Sequence, residues 1–308
     1  MLSTLFRMSS TATNTHSALN AYYQHVAEVT FDADAPLSEL LQEVGIRHFK
    51  KYSFSSLDFN LKNRTIPLHS ERLIHQLIEN KTGCCLHHNA VFQAILLQKG
   101  IKSWLVECIV HDALHPGTRF AMPTHVAIMF DYNDQRYLFD PGWDGTLYSI
   151  YSLPETIHGV VKRGQNQIRH TGQADYPFAF ELIKSDDSTS VRYEFNVRAA
   201  NLDFFHAALE YLNSEAYAFH TLFLFTRVSG DNRLVSLINR DLVIKDLQSV
   251  ELLRERLPDD VSVITTLEEH FGNINVALPG FVRQDFKNPA LIDTLHPVAV
   301  NELISKVS

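Results

Sequence analysis

Cysteine is scarce in this chain: three residues in 308, two of them adjacent, and none set in a Cys-x-x-Cys pair. That scarcity excludes a disulfide framework, and with no clustered histidines it also removes the usual spacings of a zinc site, so no metal is expected. Basic charge is not in excess, because 27 Lys+Arg face 35 Asp+Glu for a net charge of -8. Nucleic acid is therefore not an expected partner. No window approaches about 18 uninterrupted apolar residues, so no membrane span is expected. The Ser- and Thr-rich residues 1–19 lack an apolar stretch of signal-peptide length. They read as a loose tail, with Met8 an alternative start, and a cytoplasmic, reducing setting with a free thiol is the expectation.

What is present is a 45% hydrophobic composition over a length that suits two or three cores. Apolar residues recur at helical spacing at Ala21, Tyr22, Val26 and Val29, at Leu37, Leu40, Leu41 and Val44, and at Leu73, Leu77 and Ile78. Residues 54–68, with Asn63-Arg64 and Pro67, read as an extended excursion, and residues 90–100 as a helix stopping at Gly100. Beyond Gly100 the pattern turns to strands, at 103–110, 126–132, 136–139 and 191–197, with Asn133-Asp134 a hairpin turn. Residues 158–176 look like a polar surface connection. A smaller α/β unit follows, with a helix at 202–212, strands at 220–228, 233–238 and 241–246, and a closing helix pair at 249–257 and 266–271.

The chemistry-bearing residues fall in an order that suits a thiol nucleophile, its base and the base's carboxylate. Gly83-Cys84-Cys85 turns into an apolar-striped helix, which places Cys85 where a helix N-terminus favours a thiolate and backbone N–H groups can receive an oxyanion. His125 heads the strand Val126-Ala127-Ile128-Met129-Phe130, and Asp140 closes Tyr137-Leu138-Phe139 before Pro141-Gly142. Each residue has a plainer reading: Cys84 and Cys85 as core fillers, His125 as a core histidine, Asp140 as a turn former. Their combination is what points to acyl transfer. His87 and His88, consecutive on a helix, diverge by about 100 degrees and do not easily share a metal. His111-Asp112-Ala113-Leu114-His115 reads as a solvated turn, Cys108 as a strand core residue, and Trp143 as a turn residue or a pocket wall.

These motifs resemble the arylamine N-acetyltransferases, a family that includes amide synthases of macrolactam assembly. Lys81-Thr82-Gly83-Cys84-Cys85-Leu86-His87-His88-Asn89 is similar to the family's Arg-Gly-Gly-x-Cys signature and identifies Cys85, not Cys84, as nucleophile. Phe54-Ser55-Ser56-Leu57-Asp58 with Asn63 to Leu68 resembles the Phe-Glu-Asn-Leu segment and its following loop. Thr124-His125 and Tyr137 to Trp143 match the segments bearing His and Asp, and Arg233 to Leu237 and Leu267 to Gly272 resemble the lid. The likeness runs from about Ala21 to Leu278.

The resemblance implies an α+β fold: a helical bundle at 20–100, a central antiparallel β-barrel at 101–198 and a C-terminal α/β lid at 199–308. It implies catalytic Cys85, His125 and Asp140, substrate-binding Phe54, Thr124 and Trp143, acetyl-CoA as cosubstrate with no permanently bound cofactor, and ping-pong transfer to an arylamine, hydrazine or arylhydroxylamine. Lys81-Thr82-Gly83, Ser55-Ser56 and Pro141 to Gly145 depart from the family pattern around the pocket. The competing class is a transglutaminase or deamidase acting on a protein substrate.

Overall fold

The computed structural model describes residues 9–26, 36–60, 65–111, 119–143, 149–184, 186–212, 223–247 and 251–272. Its first layer is helical: α1 (Ser9–His25), α2 (Leu37–Lys51), α3 (Leu57–Asn60), α4 (Ser70–Asn80) and α5 (Cys85–Gln98). In α2, Leu37, Leu40, Leu41, Val44 and His48 make one buried stripe, as their spacing predicts. Helix α5 is buried nearly all round, from Cys85 to Phe92 and at Ala94 to Leu96, so it is the axle of the layer. Helix α1 packs on α4 and α5 with Ala18, Leu19 and Tyr22 sealed from solvent. This corrects the expectation of a loose tail over the whole of 1–19: small polar residues hid a helix whose apolar face is short. Residues 1–8 lie outside the described residues.

The second layer is an antiparallel sheet of eight strands in the order β6-β5-β4-β3-β10-β9-β8-β7. Its strands are β3 (Ser103–Val110), β4 (His125–Tyr132), β5 (Gln135–Phe139), β6 (Ile150–Ser152), β7 (Val160–Arg163), β8 (Asn166–His170), β9 (Phe178–Ile183) and β10 (Thr189–Phe195). The end strands approach each other, with the Arg163 guanidinium donating to the Ile150 carbonyl at 3.0 Å, so the sheet is a nearly closed barrel. Asn133 and Asp134 both hold positive φ, 49° and 59°, as a tight hairpin turn between β4 and β5 requires. Part of the expected connection at 158–176 is instead the β7–β8 hairpin. Three of β7's four residues are exposed, so no apolar alternation marks it.

The third layer is a second sheet, with the order β14-β13-β12-β11-β1-β2. Four of its strands, β11 (Leu224–Val228), β12 (Leu234–Ile238), β13 (Asp241–Lys245) and β14 (Glu251–Arg256), come from the last third of the chain. The other two, β1 (Ser53–Ser55) and β2 (Thr82–Gly83), come from the helical third, with Phe54 paired to Thr226 and, in parallel, to Gly83. Strand β14 replaces the expected helix at 249–257. Its apolar Leu252 and Leu253 are exposed on an edge, so helical spacing there reports no buried face. Helices α6 (Phe204–Leu212) and α7 (Asp260–Phe271) are the remaining helices among the described residues, and the Asp259 side chain caps α7 by accepting from the Ser262 N–H at 2.8 Å.

A buried hydrogen-bond chain crosses the helical layer. Tyr22 Oη meets His48 Nδ1 at 2.9 Å, His48 Nε2 meets His88 Nδ1 at 2.7 Å, and His88 Nε2 meets the Gly83 carbonyl at 3.0 Å. The carbonyl can only accept, so His88 donates to it from Nε2, receives at Nδ1 from His48, and His48 in turn receives from Tyr22. Both rings are neutral in this arrangement. Burial, and then the neighbouring His88, holds His48 well below the usual histidine range, and burial followed by His87 holds His88 down to about 3. The unfolded chain therefore binds protons first as pH falls below about 6.5, and the stability present above that value is lost progressively towards pH 3. His88 alone is expected to cost about 2 kcal/mol between pH 7 and pH 5. Urea denaturation at the two pH values checks this, and the His48→Gln, His88→Gln double variant is expected to flatten the difference.

Candidate active site

Helix α5 begins where β2 ends, and the handover sets the Cys85 position. Lys81 takes a left-handed conformation (φ 58°) that closes α4, and Thr82-Gly83 then pairs with β1. Cys84 is extended (φ -91°, ψ -176°) as the N-cap, and Cys85 is the first helical residue. At Gly83 a Cβ would lie 2.7 Å from His87 Cβ, so only glycine lets the strand run this close to the first turn of α5. Cys85 thus sits on a backbone held by sheet pairing on one side and by the histidine chain at Gly83 on the other.

His125 and Asp140 stand together. His125 Nε2 lies 2.7 Å from Asp140 Oδ2, and both residues are buried. The carboxylate accepts a hydrogen bond from the Nε2–H, so Nδ1 is the ring nitrogen left for chemistry with a thiol. Asp140 Oδ1 accepts from Asn89 Nδ2 at 3.0 Å, and the same amide nitrogen donates to the Val126 carbonyl at 2.6 Å. Asn89 Oδ1 accepts from the Gly142 N–H at 3.0 Å. One amide on α5, a turn beyond Cys85, therefore joins β4 and the loop after β5. Gly142 sits so close that a Cβ would fall 2.5 Å from Asn89 Nδ2 and 2.8 Å from the Cys85 carbonyl oxygen. The structure joins His125 to Asp140 directly and ties Cys85 to them through Asn89 and Gly142.

Aromatic rings wall this cluster. The Trp143 ring meets His125 edge-on with centroids 5.1 Å apart, and Tyr193, on β10, stacks obliquely on both at 5.4 Å and 5.0 Å. Burial first, and the Asp140 charge second, push the Tyr193 phenol well above its usual range, so it stays neutral beside the carboxylate. Thr124 is buried and its Oγ1 has no hydrogen-bond partner, an orphan hydroxyl beside His125. Phe54 stacks on His88, with centroids 6.0 Å apart, and is paired through its backbone to Gly83. Cys84 and Cys108 are fully enclosed, and burial above all raises both thiols. Cys84, His87 and Asp58 also converge behind Cys85, the one group of residues in the described part of the chain with the donor set and spacing to hold a metal.

All six residues singled out from the sequence are described, and they gather about the start of α5, the head of β4 and the loop after β5. Asp144 and Gly145 lie outside the described residues, as do 112–118 and Asn63-Arg64. Sequence reasoning passed over the clamping role of Asn89 and the place of Tyr193. An amide in the middle of an apolar helix was a readable signal for Asn89; Tyr193 on an alternating strand gave none.

The family model described as N-acetyltransferase matches residues 38–280. A curated relative, the probable arylamine N-acetyltransferase 2 of Dictyostelium discoideum, is 31% identical over 144 residues, which are 44% of this chain. That alignment spans about half of the relative's length, 46%. Among solved structures, the arylamine N-acetyltransferase of M. tuberculosis superposes with a TM-score of 0.68 at 24% identity, covering 90% of this chain and 99% of that one. The Mycobacterium marinum arylamine N-acetyltransferase in complex with CoA superposes at 0.67 with 21% identity, covering 84% and 93%.

Replacing Asn89 by Ala strands the buried Asp140 Oδ1, the Val126 carbonyl and the Gly142 N–H, and is expected to destabilise the fold by about 2–4 kcal/mol. It is also expected to slow alkylation of Cys85 by iodoacetamide near neutral pH at least tenfold while the variant remains folded. Alkylation rates followed by peptide mapping, alongside urea denaturation, check both.

Proposed function

The chain belongs to the arylamine N-acetyltransferase family, and on that premise we propose that it transfers an acetyl or other short acyl group from acyl-coenzyme A to an arylamine, hydrazine or arylhydroxylamine through a thioester on Cys85. The observation that carries this reading is the buried His125–Asp140 pair, 2.7 Å apart, clamped by Asn89 to the helix that begins with Cys85. The CoA bound to the Mycobacterium marinum relative supports the choice of donor.

In the first half-reaction His125 Nδ1 takes the Cys85 proton and the sulfur attacks the acyl carbonyl. Charge on the carbonyl oxygen is received by the backbone N–H groups of the first turn of α5, and the helix N-terminus stabilises it. The C–S bond to coenzyme A breaks, and His125 returns the proton to the departing thiolate. In the second half the amine attacks the Cys85 thioester, His125 accepts a proton from the nitrogen, and Cys85 is released as the thiol. Asp140 keeps its charge throughout and stabilises the imidazolium formed in each half. Trp143 and Phe54 supply flat apolar walls for an aromatic acceptor, and Thr124 Oγ1 offers it a polar contact. Three free cysteines fit a cytoplasmic, reducing setting, which keeps such a nucleophile available.

Brief incubation with acetyl-CoA is expected to add the mass of one acetyl group to the wild type and nothing to Cys85→Ala. Asp140→Asn should lower acylation by about 10³-fold or more. Thr124→Val should raise the acceptor KM and leave the acylation rate within threefold. Absence of the acetyl adduct, together with ammonia release from a glutamine peptide, would replace this reading with the deamidase one.

A further inference from the structure

We propose that Asp58, Cys84 and His87 form a binding site for a zinc-class divalent ion directly behind Cys85, and that an ion there draws Cys85 away from acyl transfer. The second part rests on Cys85 being the nucleophile; the first does not.

The ligand atoms of the three residues lie within 4.8 Å of one another, and all three side chains are buried. Cys84 Sγ is 3.4 Å from His87 Nδ1, which is 3.7 Å from Asp58 Oδ2. A tetrahedral zinc ion with ordinary bond lengths holds a sulfur and a nitrogen ligand about 3.6 Å apart and a nitrogen and an oxygen ligand about 3.4 Å apart. Both spacings about His87 thus lie within a few tenths of an ångström of a coordination shell, and the sulfur and the carboxylate oxygen lie within 4.8 Å of each other.

His87 is oriented for the task. Its Nε2 lies 2.9 Å from Gln76 Oε1, which can only accept, so the proton sits on Nε2 and the Nδ1 lone pair faces Cys84. A histidine whose far nitrogen is fixed by a side-chain oxygen is the usual outer support of a metal ligand. The Cys84 N–H reaches Nδ1 only at 3.3 Å, a weak bond to surrender to a cation. Charge balances as well: a thiolate and a carboxylate with a neutral imidazole cancel a divalent ion, so the filled site buries no net charge. Binding forms the metal–sulfur bond and releases the Cys84 proton to solvent. Three protein ligands leave a fourth position, and the neighbouring Cys85 side chain, which interacts with that of Cys84, is the group placed to take it; when it does, its proton also passes to solvent and the four-ligand site carries one net negative charge.

The test is Zn2+ binding by the full chain, measured by competition with a chromogenic chelator. Cys85→Ala is expected to retain one equivalent. In that background Cys84→Ser, His87→Gln and Asp58→Asn should each weaken binding at least tenfold, Gln76→Leu about tenfold, and His125→Ala less than twofold. Circular dichroism confirms that these near-isosteric variants are folded. Loss of all binding in Cys85→Ala, or weakening by His125→Ala, would place the ion in the Cys85–His125 pair and overturn the proposal, as would indifference to the three ligand variants. In wild type, Zn2+ should suppress acylation with the midpoint of the binding curve, and Asp58→Asn should shift that midpoint upward at least tenfold. If acetyl-CoA does not acylate the protein at all, the function reading fails and the binding series still decides the site.

Discussion

The Asn89 carboxamide is the constraint on which the site depends. Both its amide protons and its oxygen are engaged by groups on two other pieces of chain, the Val126 carbonyl of β4 and the Asp140 carboxylate and Gly142 N–H of the loop after β5. A single planar group therefore fixes the rotation of α5, the height of β4 and the path of the loop after β5. Gly142 makes the arrangement close, because with no side chain it presses against the Cys85 carbonyl. The bonds sit where water does not compete, so each is stiffer than its surface equivalent.

Three consecutive polar residues on α5 divide the work around the helix. His87 faces Gln76 and Cys84, His88 faces His48 and the Gly83 carbonyl, and Asn89 faces the Asp140 loop. Successive residues on a helix diverge by about 100 degrees, which is why each reaches a different element. That divergence denies His87 and His88 a common ligand and lets one helical turn organise most of the helix's surroundings. Burial on nearly every side up to Leu96 also explains why α5 shows no amphipathic stripe: exposure is confined to its C-terminal end, at Leu97, and partly to Gln93 and Gln98.

Much of this was legible in the sequence, for identifiable reasons. Cys85, His125 and Asp140 each sit where an element starts or stops, and starts and stops are written locally, in Gly83, in the polar head of β4 and in Pro141-Gly142. The alternation in β3, β4 and β5 is readable because one face of each packs on a core. What escaped was determined by distant chain. Strand β7 is solvent-facing, β14 is an exposed edge, and α1 opens with a run of Ser, Thr and Asn, so none of them carries a strong period. The convergence of Asp58 on Cys84 was invisible because ligand-spacing rules read neighbours, and Asp58 arrives from another helix. The pairing of β1 with β11 was illegible for the same reason.

That pairing bears on how the protein is made. Ser56 and Leu224 are hydrogen-bonded partners 168 residues apart. At ordinary elongation speeds the ribosome takes roughly ten to thirty seconds to cover that distance. Throughout that interval the short strands before the adjacent cysteines present an unpaired edge, and unpaired edges recruit other chains. The strands that cover this edge come from residues 224–256, so the sheet can close only late in synthesis.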